Sequence, residues 1–365
     1  MAELVVKTDN IIRNIQKVDN FLKKHNKQWS VVSKVLSGDK QFIRKIFTEN
    51  VTSQLHSVGE SRLSSLKTIK EINPDLMTIY IKPPPANIIK SLVKYADISV
   101  NTSLSTIEAL NREARKIKKI HKVIIFLELG ELREGVVREN IVGFYKKVFN
   151  LSNIEIIGIG SNLGCMYGIE PTYDKLLQLS LFKQLLEEMF NKKIPLISGG
   201  SSITLPLINK KLVPAAVNHF RIGEAAFFGT SPLYNKKFQT LSTDTFSFNA
   251  NVIELEEKWN VPDGVISEAN IGHTSETDSD KPSYKSYRAI LDFGILDVDV
   301  NDITPKDKNV NFLGTTSDMT VYDIGQNINS RLKTKYQVGN KIVFKPNYMA
   351  VARLMNSKFI DLKIE

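Results

Sequence analysis

The stretch Trp29-Ser-Val-Val-Ser-Lys-Val-Leu-Ser-Gly38 combines a short apolar run with a turn that ends in glycine. Such a run, bounded by turn residues, predicts a buried strand that ends at Lys34. The residues that follow, Asp39 to Thr48, have the pattern of a helix. The segment therefore predicts one strand-helix unit, and the number of times that this unit recurs along the chain decides the fold.

The same alternation continues through roughly the first 230 residues. We predict strands at Ser30 to Lys34, Ser53 to His56, Met77 to Ile81, Ile98 to Val100, Lys122 to Glu128, Ile154 to Ile159, Pro195 to Ser198 and Asn218 to Arg221. Helical segments lie between them at Asp39 to Thr48, Ser61 to Glu71, Ser105 to Ile117, Arg138 to Phe149 and Tyr173 to Phe190. An eight-fold alternation predicts an α/β fold, a (β/α)8 barrel of the TIM type with its chemistry at the carboxyl ends of the strands.

After Gly229-Thr-Ser-Pro232 the pattern changes to strands with polar loops. We predict these strands at Phe246 to Glu256, Tyr287 to Phe293, Met319 to Ile324 and Lys341 to Lys345. The chain is therefore expected to contain two domains, a barrel over residues 1–230 and a β-rich C-terminal domain over residues 231–365.

The composition excludes several classes of protein. Cys165 is the single cysteine, which leaves no disulfide framework and no thiolate cluster for a metal, and indicates a cytoplasmic protein. We recognise no signal peptide and no apolar segment long enough to span a membrane. The net charge is +10, but the basic pairs are dispersed over helical segments. We therefore expect neither nucleic acid nor a membrane as a partner.

Three polar segments lie at predicted strand ends. Lys34 ends the first strand, and burial of an ammonium group favours the neutral amine, the nucleophile toward an aldehyde such as pyridoxal phosphate. Ile197-Ser-Gly-Gly-Ser-Ser-Ile203 and Asn218-His-Phe-Arg-Ile-Gly-Glu224 accompany the seventh and eighth strands, where barrels often bind phosphate. Each motif alone is also typical of an ordinary turn, and a lysine can simply extend into solvent. Together they favour a site for a phosphate-bearing aldehyde.

Seven stretches stand in the order found in a known family. They are Val32-Ser-Lys-Val-Leu-Ser-Gly38, Leu129-Gly-Glu-Leu-Arg-Glu-Gly135, Gly158-Ile-Gly-Ser-Asn-Leu163, Ile197-Ser-Gly-Gly-Ser-Ser202, Asn218-His-Phe-Arg-Ile-Gly-Glu224, Gly314-Thr-Thr-Ser-Asp318 and Asn347-Tyr348. Over nearly the whole chain, the sequence resembles the fold-type III pyridoxal-phosphate enzymes, and within them the alanine/ornithine racemase group. The resemblance implies a barrel followed by a β-domain, pyridoxal 5'-phosphate as cofactor and amino acid racemase activity.

The resemblance implies roles for four residues near the cofactor ring. Lys34 matches the lysine that binds the cofactor covalently and moves the α-proton on one face. Arg221 matches the arginine that hydrogen-bonds the pyridine nitrogen; because a guanidinium keeps its proton, this partner suits racemisation. Arg133 matches an arginine near the phenolic oxygen, and Asn162 occupies a position where related alanine racemases have histidine.

Two of these residues can also have purely structural roles. Arg133 can pair with Glu131 or Glu134 instead, and Asn162 can cap a helix. The sequence does not decide between these alternatives.

Further residues match phosphate contacts of the family. They are Ser202, Ile222, Gly223 and Tyr348, with Ser201 as a neighbour that can do the same.

The resemblance also implies a substrate contact and a dimer. Ser317 and Asp318 match the stretch that meets the substrate carboxylate. In the family this stretch comes from the second domain of the partner subunit. We therefore expect a head-to-tail homodimer with shared active sites.

Racemisation needs a second base, and here the sequence departs from the family. The family uses a tyrosine early in the β-domain, whereas Asn270-Ile-Gly-His-Thr274 contains none. His273 is our candidate, since an imidazole both accepts and donates protons. It can equally be a solvated loop residue, and Tyr284 and Tyr287 are the substitutes.

The segment that precedes Lys281-Pro282, which bears on the choice of substrate, also differs from the family. Ornithine-racemase-like enzymes carry Ala-Phe-Gly before a Lys-Pro pair, whereas Asp278-Ser-Asp280 precedes Lys281-Pro282 here. The carboxylates of Glu276, Asp278 and Asp280 could meet a cationic side chain or form a solvated loop. Ornithine, lysine and alanine remain candidate substrates.

Other classes stay open. A cofactor-handling protein of the same fold would keep Lys34 and the phosphate loops without a second base. A D-amino-acid lyase would need a metal, held by a histidine and a cysteine of the second domain, and beyond Cys165 only His273 is available. We therefore expect no metal site.

Overall fold

The computed structural model describes residues 1–47, 55–266, 272–275 and 283–365. Within them the chain divides into two compact units, Thr8–Thr243 and Met1–Lys7 together with Asp244–Glu365. The sequence pattern changes near residue 230, whereas the contacts divide the chain after Thr243. The N-terminal strand β1 (Glu3–Val6) belongs to the β-rich unit because it pairs with two of that unit's strands.

The unit Thr8–Thr243 contains a closed barrel of parallel strands in sequential order. The strands are β2 (Gln28–Val32), β3 (Ser57–Glu60), β4 (Thr78–Tyr80), β5 (Ile98–Asn101), β6 (His121–Phe126), β7 (Ile154–Gly160), β8 (Leu196–Ser198) and β9 (His219–Ile222). The helices are α1 (Thr8–Lys24), α2 (Lys40–Ile46), α3 (Leu63–Ile72), α4 (Ile89–Tyr95), α5 (Leu104–Lys116), α6 (Ile141–Phe149), α7 (Tyr173–Phe190), α8 (Leu205–Asn209) and α9 (Glu224–Phe228). A short hairpin, β10 (Thr230–Ser231) and β11 (Lys236–Lys237), follows. The predicted eight-stranded α/β barrel is confirmed.

One strand prediction is wrong. Residues 53 and 54 of the predicted strand Ser53 to His56 lie outside the described residues, and Leu55 and His56 precede β3. The strand contains Gly59 and Glu60, which are not typical of a buried strand. Glu60 is nevertheless buried, because its carboxylate accepts a hydrogen bond from the Ser33 hydroxyl at 2.7 Å.

Helix α1 packs an apolar stripe against the barrel. Ile11, Ile15, Val18 and Leu22 recur at helical spacing and are buried. A buried hydrogen bond of 2.9 Å from the Trp29 indole to a carboxylate of α1 joins the helix to β2. This packing fixes the strand whose end carries Lys34.

The β-rich unit is built around one long strand, β12 (Phe246–Trp259). The other elements after it are β13 (His273–Thr274), β14 (Lys285–Leu291), β15 (Ile303–Pro305), β16 (Asn311–Thr315), β17 (Thr320–Asp323), β18 (Lys341–Pro346), α10 (Tyr348–Leu354) and β19 (Asp361–Ile364). Strand β12 pairs with β1, β14 and β18, and buried rings such as Phe248 and Phe293, 5.0 Å apart, fill the core. In the described part of the chain, no helix is both long and apolar enough to cross a membrane.

Candidate active site

Lys34 lies at the carboxyl end of β2, where it begins a short 3-10 helix, Lys34–Leu36. Its side chain is exposed. The preceding Ser33 is buried and tied to the neighbouring strand, because its N–H donates to the Gly59 carbonyl at 3.0 Å and its hydroxyl donates to Glu60. The side chain of Lys34 therefore extends from a backbone segment whose position is fixed by the hydrogen bonds of Ser33.

Arg221 lies inside the barrel on β9, the strand that pairs with β2. Its side chain is buried; one terminal nitrogen donates to the Ser198 hydroxyl and the other to the Ser161 carbonyl at 2.9 Å. The guanidinium carbon lies 4.5 Å from the centre of the Phe126 ring. Burial lowers the pKa of Arg221 to about 10, so the group remains a cation and a hydrogen-bond donor at neutral pH.

A chain of buried polar groups continues from Arg221 through the barrel. Ser198 bonds His219 Nδ1 and Ser30 bonds His219 Nε2, both at 2.9 Å. Ser30 in turn bonds Ser57 at 2.6 Å. Burial lowers the pKa of His219 well below its usual value, so the ring is neutral and donates through one nitrogen while it accepts through the other. Sequence reasoning missed this chain, since its hydrogen-bonded pairs are separated by up to 189 residues.

Arg133 follows β6 and pairs with Glu134, not with Glu131. Its third nitrogen donates to Cys165 Sγ at 2.6 Å. The Glu134 carboxylate raises the pKa of Arg133, against the effect of partial burial. Asn162 caps none of the described helices; the amide orientation that satisfies both of its ends turns the oxygen toward Arg133. The two residues that the resemblance brings together are therefore hydrogen-bonded to each other.

Glu131 was missed as a site residue, although it organises this loop pair. Its buried carboxylate accepts hydrogen bonds of 2.8 to 3.3 Å from the N–H groups of Gly164, Cys165, Tyr167, Gly168 and Ile169. Burial raises the pKa of the carboxyl group, but these donors outweigh it and the pKa is lowered. The loop after β7 is thus wrapped around an anion that the loop after β6 provides.

Two glycine- and serine-containing turns follow β8 and β9. Gly200 has a φ of 127°, and a Cβ there would lie 2.4 Å from the Thr204 hydroxyl, so only glycine fits. Ser201 precedes the 3-10 helix Ser202–Thr204, and Gly223 precedes α9 after the buried Ile222. The Ser202 hydroxyl accepts from the Ala225 N–H at 3.0 Å, which joins the two turns.

These turns fit a phosphate group by the chemistry of their donors. Hydroxyl groups and the backbone N–H groups at two helix starts lie next to each other, and such groups bind anions. Arg221 lies at the same strand end, where its cation would complement a cofactor ring nitrogen. Ser161 nearby has a buried hydroxyl oxygen without a hydrogen-bond partner among the described atoms. The barrel's residues therefore suit a phosphorylated aromatic aldehyde.

The remaining predicted site residues lie in the β-rich unit. Ser317 and Asp318 are exposed in the turn between β16 and β17, and the Ser317 hydroxyl donates to Asp318 at 3.0 Å. Tyr348 is the first residue of α10 and is half-buried. His273 is exposed on β13, opposite Thr315 of β16.

The substitutes for the second base have different surroundings. Tyr284 is exposed, and its N–H donates to the Asn260 side chain. Tyr287 lies on β14 and lines a cavity of about 320 Å³ with Leu255, Tyr336 and others. Glu276, Asp278 and Asp280 lie outside the described residues.

Comparison with known proteins decides the family. The family model described as "Alanine racemase, N-terminal domain" matches residues 6–232. An ornithine racemase from Acetoanaerobium sticklandii is 33% identical over 329 residues, which are 86% of this chain and 88% of the relative. The chain belongs to the alanine racemase N-terminal domain family.

Two further relatives extend this result. A lysine racemase from Thermotoga maritima is 28% identical over 98% of this chain and 97% of its own. The crystal structure of alanine racemase from Bartonella henselae with covalently bound pyridoxal phosphate has a TM-score of 0.73 at 14% identity, and the match covers 100% of this chain and 99% of that one. The lysine racemase and the ornithine racemase together support the identification of this chain as an amino acid racemase. The Bartonella henselae structure shows that the fold is the same.

Proposed function

We propose that this amino acid racemase uses pyridoxal 5'-phosphate, held through Lys34, to interconvert the L- and D-forms of a free amino acid. The observation that carries the proposal is the buried, cationic Arg221 on β9, the strand beside β2, whose carboxyl end leads to Lys34. When bound, the cofactor withdraws electrons from the α-carbon and weakens its C–H bond. All remaining steps belong to residues of the chain.

Lys34 moves the α-proton on one face of the substrate. Arg221 would donate a hydrogen bond to the ring nitrogen and keep its proton, because a pKa of about 10 leaves it cationic at neutral pH. Arg133 would lie near the phenolic oxygen, and Asn162, hydrogen-bonded to Arg133, would pack by the ring. Ser201, Ser202, Ile222, Gly223 and Tyr348 are our candidates for the phosphate contacts.

For the other face we propose His273, with Tyr284 and Tyr287 as substitutes, and for the substrate carboxylate Ser317 and Asp318. In this proposal two chains form a head-to-tail homodimer in which the second domain of one completes the site of the other. The relatives named ornithine racemase and lysine racemase favour a substrate with a cationic side chain, and alanine is the alternative. The cytoplasmic location remains a prediction from the sequence.

A second candidate function is a cofactor-handling protein of the same fold with little racemase activity. The observation that favours it is the histidine, rather than tyrosine, at the expected position of the second base. Such a protein would bind the cofactor and fail to exchange the α-proton on both faces.

The test has two parts. The visible spectrum of the purified protein is recorded first, and the loss of optical activity is then measured with L-ornithine, L-lysine, L-alanine and L-serine. We expect a band that borohydride reduces and racemisation of a cationic amino acid. A band without racemisation would favour the cofactor-handling function. If no band forms after pyridoxal phosphate is added, the role of Lys34 is wrong.

Lys34→Ala is the first variant to measure. The band and borohydride-stable labelling should both disappear, because no other residue is proposed to bind the cofactor covalently. Lys27→Ala is the matched control, since that lysine lies at the opposite end of the same strand region and donates to the Ala215 and Val217 carbonyls. Labelling that persists in Lys34→Ala would refute the assignment.

A further inference from the structure

Glu60 is a buried carboxyl group at the carboxyl end of β3, and it is only 1% exposed. Strands β2 and β3 pair in parallel with Val32 opposite Gly59. The next residues along the two strands are Ser33 and Glu60, which are hydrogen-bonded, and Lys34 follows Ser33 directly. The proposed racemisation does not use this carboxyl group.

Both carboxyl oxygens of Glu60 are held. One accepts from the Ser33 hydroxyl at 2.7 Å and the other from the Ser61 N–H at 3.3 Å. The Ser33 N–H also donates to the Gly59 carbonyl at 3.0 Å. The peptide from which Lys34 leaves the barrel is thus fixed to β3 by its backbone and by its neighbour's side chain.

Two influences shift the pKa of Glu60 in opposite directions. Burial raises the pKa, whereas the bonds from Ser33 and Ser61 and the positive charges of Arg62 and Lys34 lower it. Burial outweighs them, and the resulting pKa is about 7. The facing strand β4 places Tyr80 opposite Glu60, and burial raises the pKa of that phenol, so it adds no charge. The carboxyl group therefore changes its charge in the neutral range, within the electrostatic reach of Lys34.

We propose that Glu60 is the positioning residue of Lys34: its hydrogen bond from Ser33 fixes the peptide from which the lysine extends, and its carboxylate acts on the amine through space. The proposal rests on the proposed function only in the role of Lys34. The coupling between the two side chains is a property of the protein itself.

The coupling is tested first without cofactor, by infrared titration of protonated carboxyl groups. We expect a step near pH 7 in the wild-type protein that Glu60→Gln removes. In Lys34→Met and in Ser33→Ala the midpoint should move to higher pH, because each residue lowers the pKa of Glu60 in the wild type. Glu3→Gln, the same substitution at a buried glutamate of the other unit, should leave the step unchanged. An unmoved midpoint in Lys34→Met overturns the proposal.

The second test uses added pyridoxal phosphate and the pH dependence of the visible band. The wild type and Glu3→Gln should show a spectral step near pH 7 that Glu60→Gln lacks and Ser33→Ala shifts upward. If Glu60→Gln does not fold, the shift in Ser33→Ala decides, and an unshifted step contradicts the proposal. If the wild type forms no band, the proposed function fails, while the infrared titration still decides the role of Glu60.

Discussion

At the scale of single residues, the burial of Arg221 determines which hydrogen bonds its guanidinium makes and which charge it keeps. A buried guanidinium is costly unless its donors are used, and two of them meet Ser198 and Ser161. The face of Phe126 shields the cation from water. The group is therefore held as a rigid donor that does not release its proton at neutral pH.

Arg221→Glu should lower racemisation by about 100-fold or more, the scale of losing one preorganised donor. It should also raise transamination relative to racemisation, because a carboxylic acid can protonate the ring nitrogen and make the cofactor a stronger electron sink. The ratio of the two reactions in single-turnover experiments checks this. Arg221→Lys, which keeps the positive charge, is the control, and an unchanged ratio in Arg221→Glu would argue against a pyridine-nitrogen contact.

Glu131→Gln should loosen the loop after β7. An amide keeps one acceptor but turns its NH2 group toward backbone N–H donors, so we expect a loss of about 2 kcal/mol in unfolding free energy. Hydrogen exchange at residues 164–169 should speed up in the variant. Glu113→Gln, which removes an exposed pair with Lys116 on α5, is the control and should have little effect. Exchange rates equal to those of the wild type would show that the carboxylate does not hold this loop.

At the scale of secondary-structure elements, β1 depends on one buried carboxylate. Glu3 is buried and pairs with Lys341 and Lys363, and Asn249 donates to it at 3.0 Å. Burial raises the pKa of Glu3, but these partners outweigh it and lower the value to about 2. The partners come from β18, β19 and β12, so the carboxylate ties β1 to three other strands of its sheet.

The pH dependence of stability follows from the sign of this shift. Because the pKa of Glu3 is lower in the folded protein than its ordinary value of 4.5, its stabilisation is complete above that value and is lost as the pH falls toward 2. Glu3→Gln should cost about 1 to 3 kcal/mol at pH 7 and flatten the acid limb of the unfolding profile. Urea unfolding between pH 2 and 7 measures both effects, and an acid limb as steep as that of the wild type would contradict the assignment.

At the scale of the whole molecule, the chain begins and ends in the same unit. Strand β1 lies between β12, with which it is antiparallel, and β19, with which it is parallel. The first seven residues therefore contribute an interior strand to a sheet that is otherwise formed after residue 243. An interior strand cannot be removed without exposing two rows of unpaired backbone groups.

Deletion of Met1–Lys7 should therefore destabilise the β-rich unit while the barrel retains its fold. In thermal unfolding, the transition of the β-rich unit should separate from that of the barrel. In limited proteolysis, the first cuts should fall within residues 244–365. Substitution of the exposed pair Lys258 and Glu254 on the far end of β12 serves as the control. A single unfolding transition at the wild-type temperature would show that the strand is dispensable.

The sequence alone predicted the barrel because its signals are local. Tyr173 to Phe190 was predicted as a helix and α7 has those bounds, since apolar residues on an unbroken segment favour a helix without distant help. The strand at Ser57–Glu60 was placed too early, because the burial of Glu60 depends on a partner, Ser33, that follows a different strand. The candidate site residues of the barrel came from motifs, but Glu131 and His219 could not be found in this way, as their partners are distant in sequence.

What the sequence determined by itself is the order of strands and helices, the family resemblance and the identity of the residues at the strand ends. Each of these depends on periodicity or on short contiguous motifs. Only the tertiary structure decided that β1 joins the C-terminal sheet, that Arg133 pairs with Glu134, and that Glu60 is buried against Ser33. The physical reason is that pairing, burial and charge depend on distances in space, and closure of the barrel brings together residues that the linear chain keeps apart.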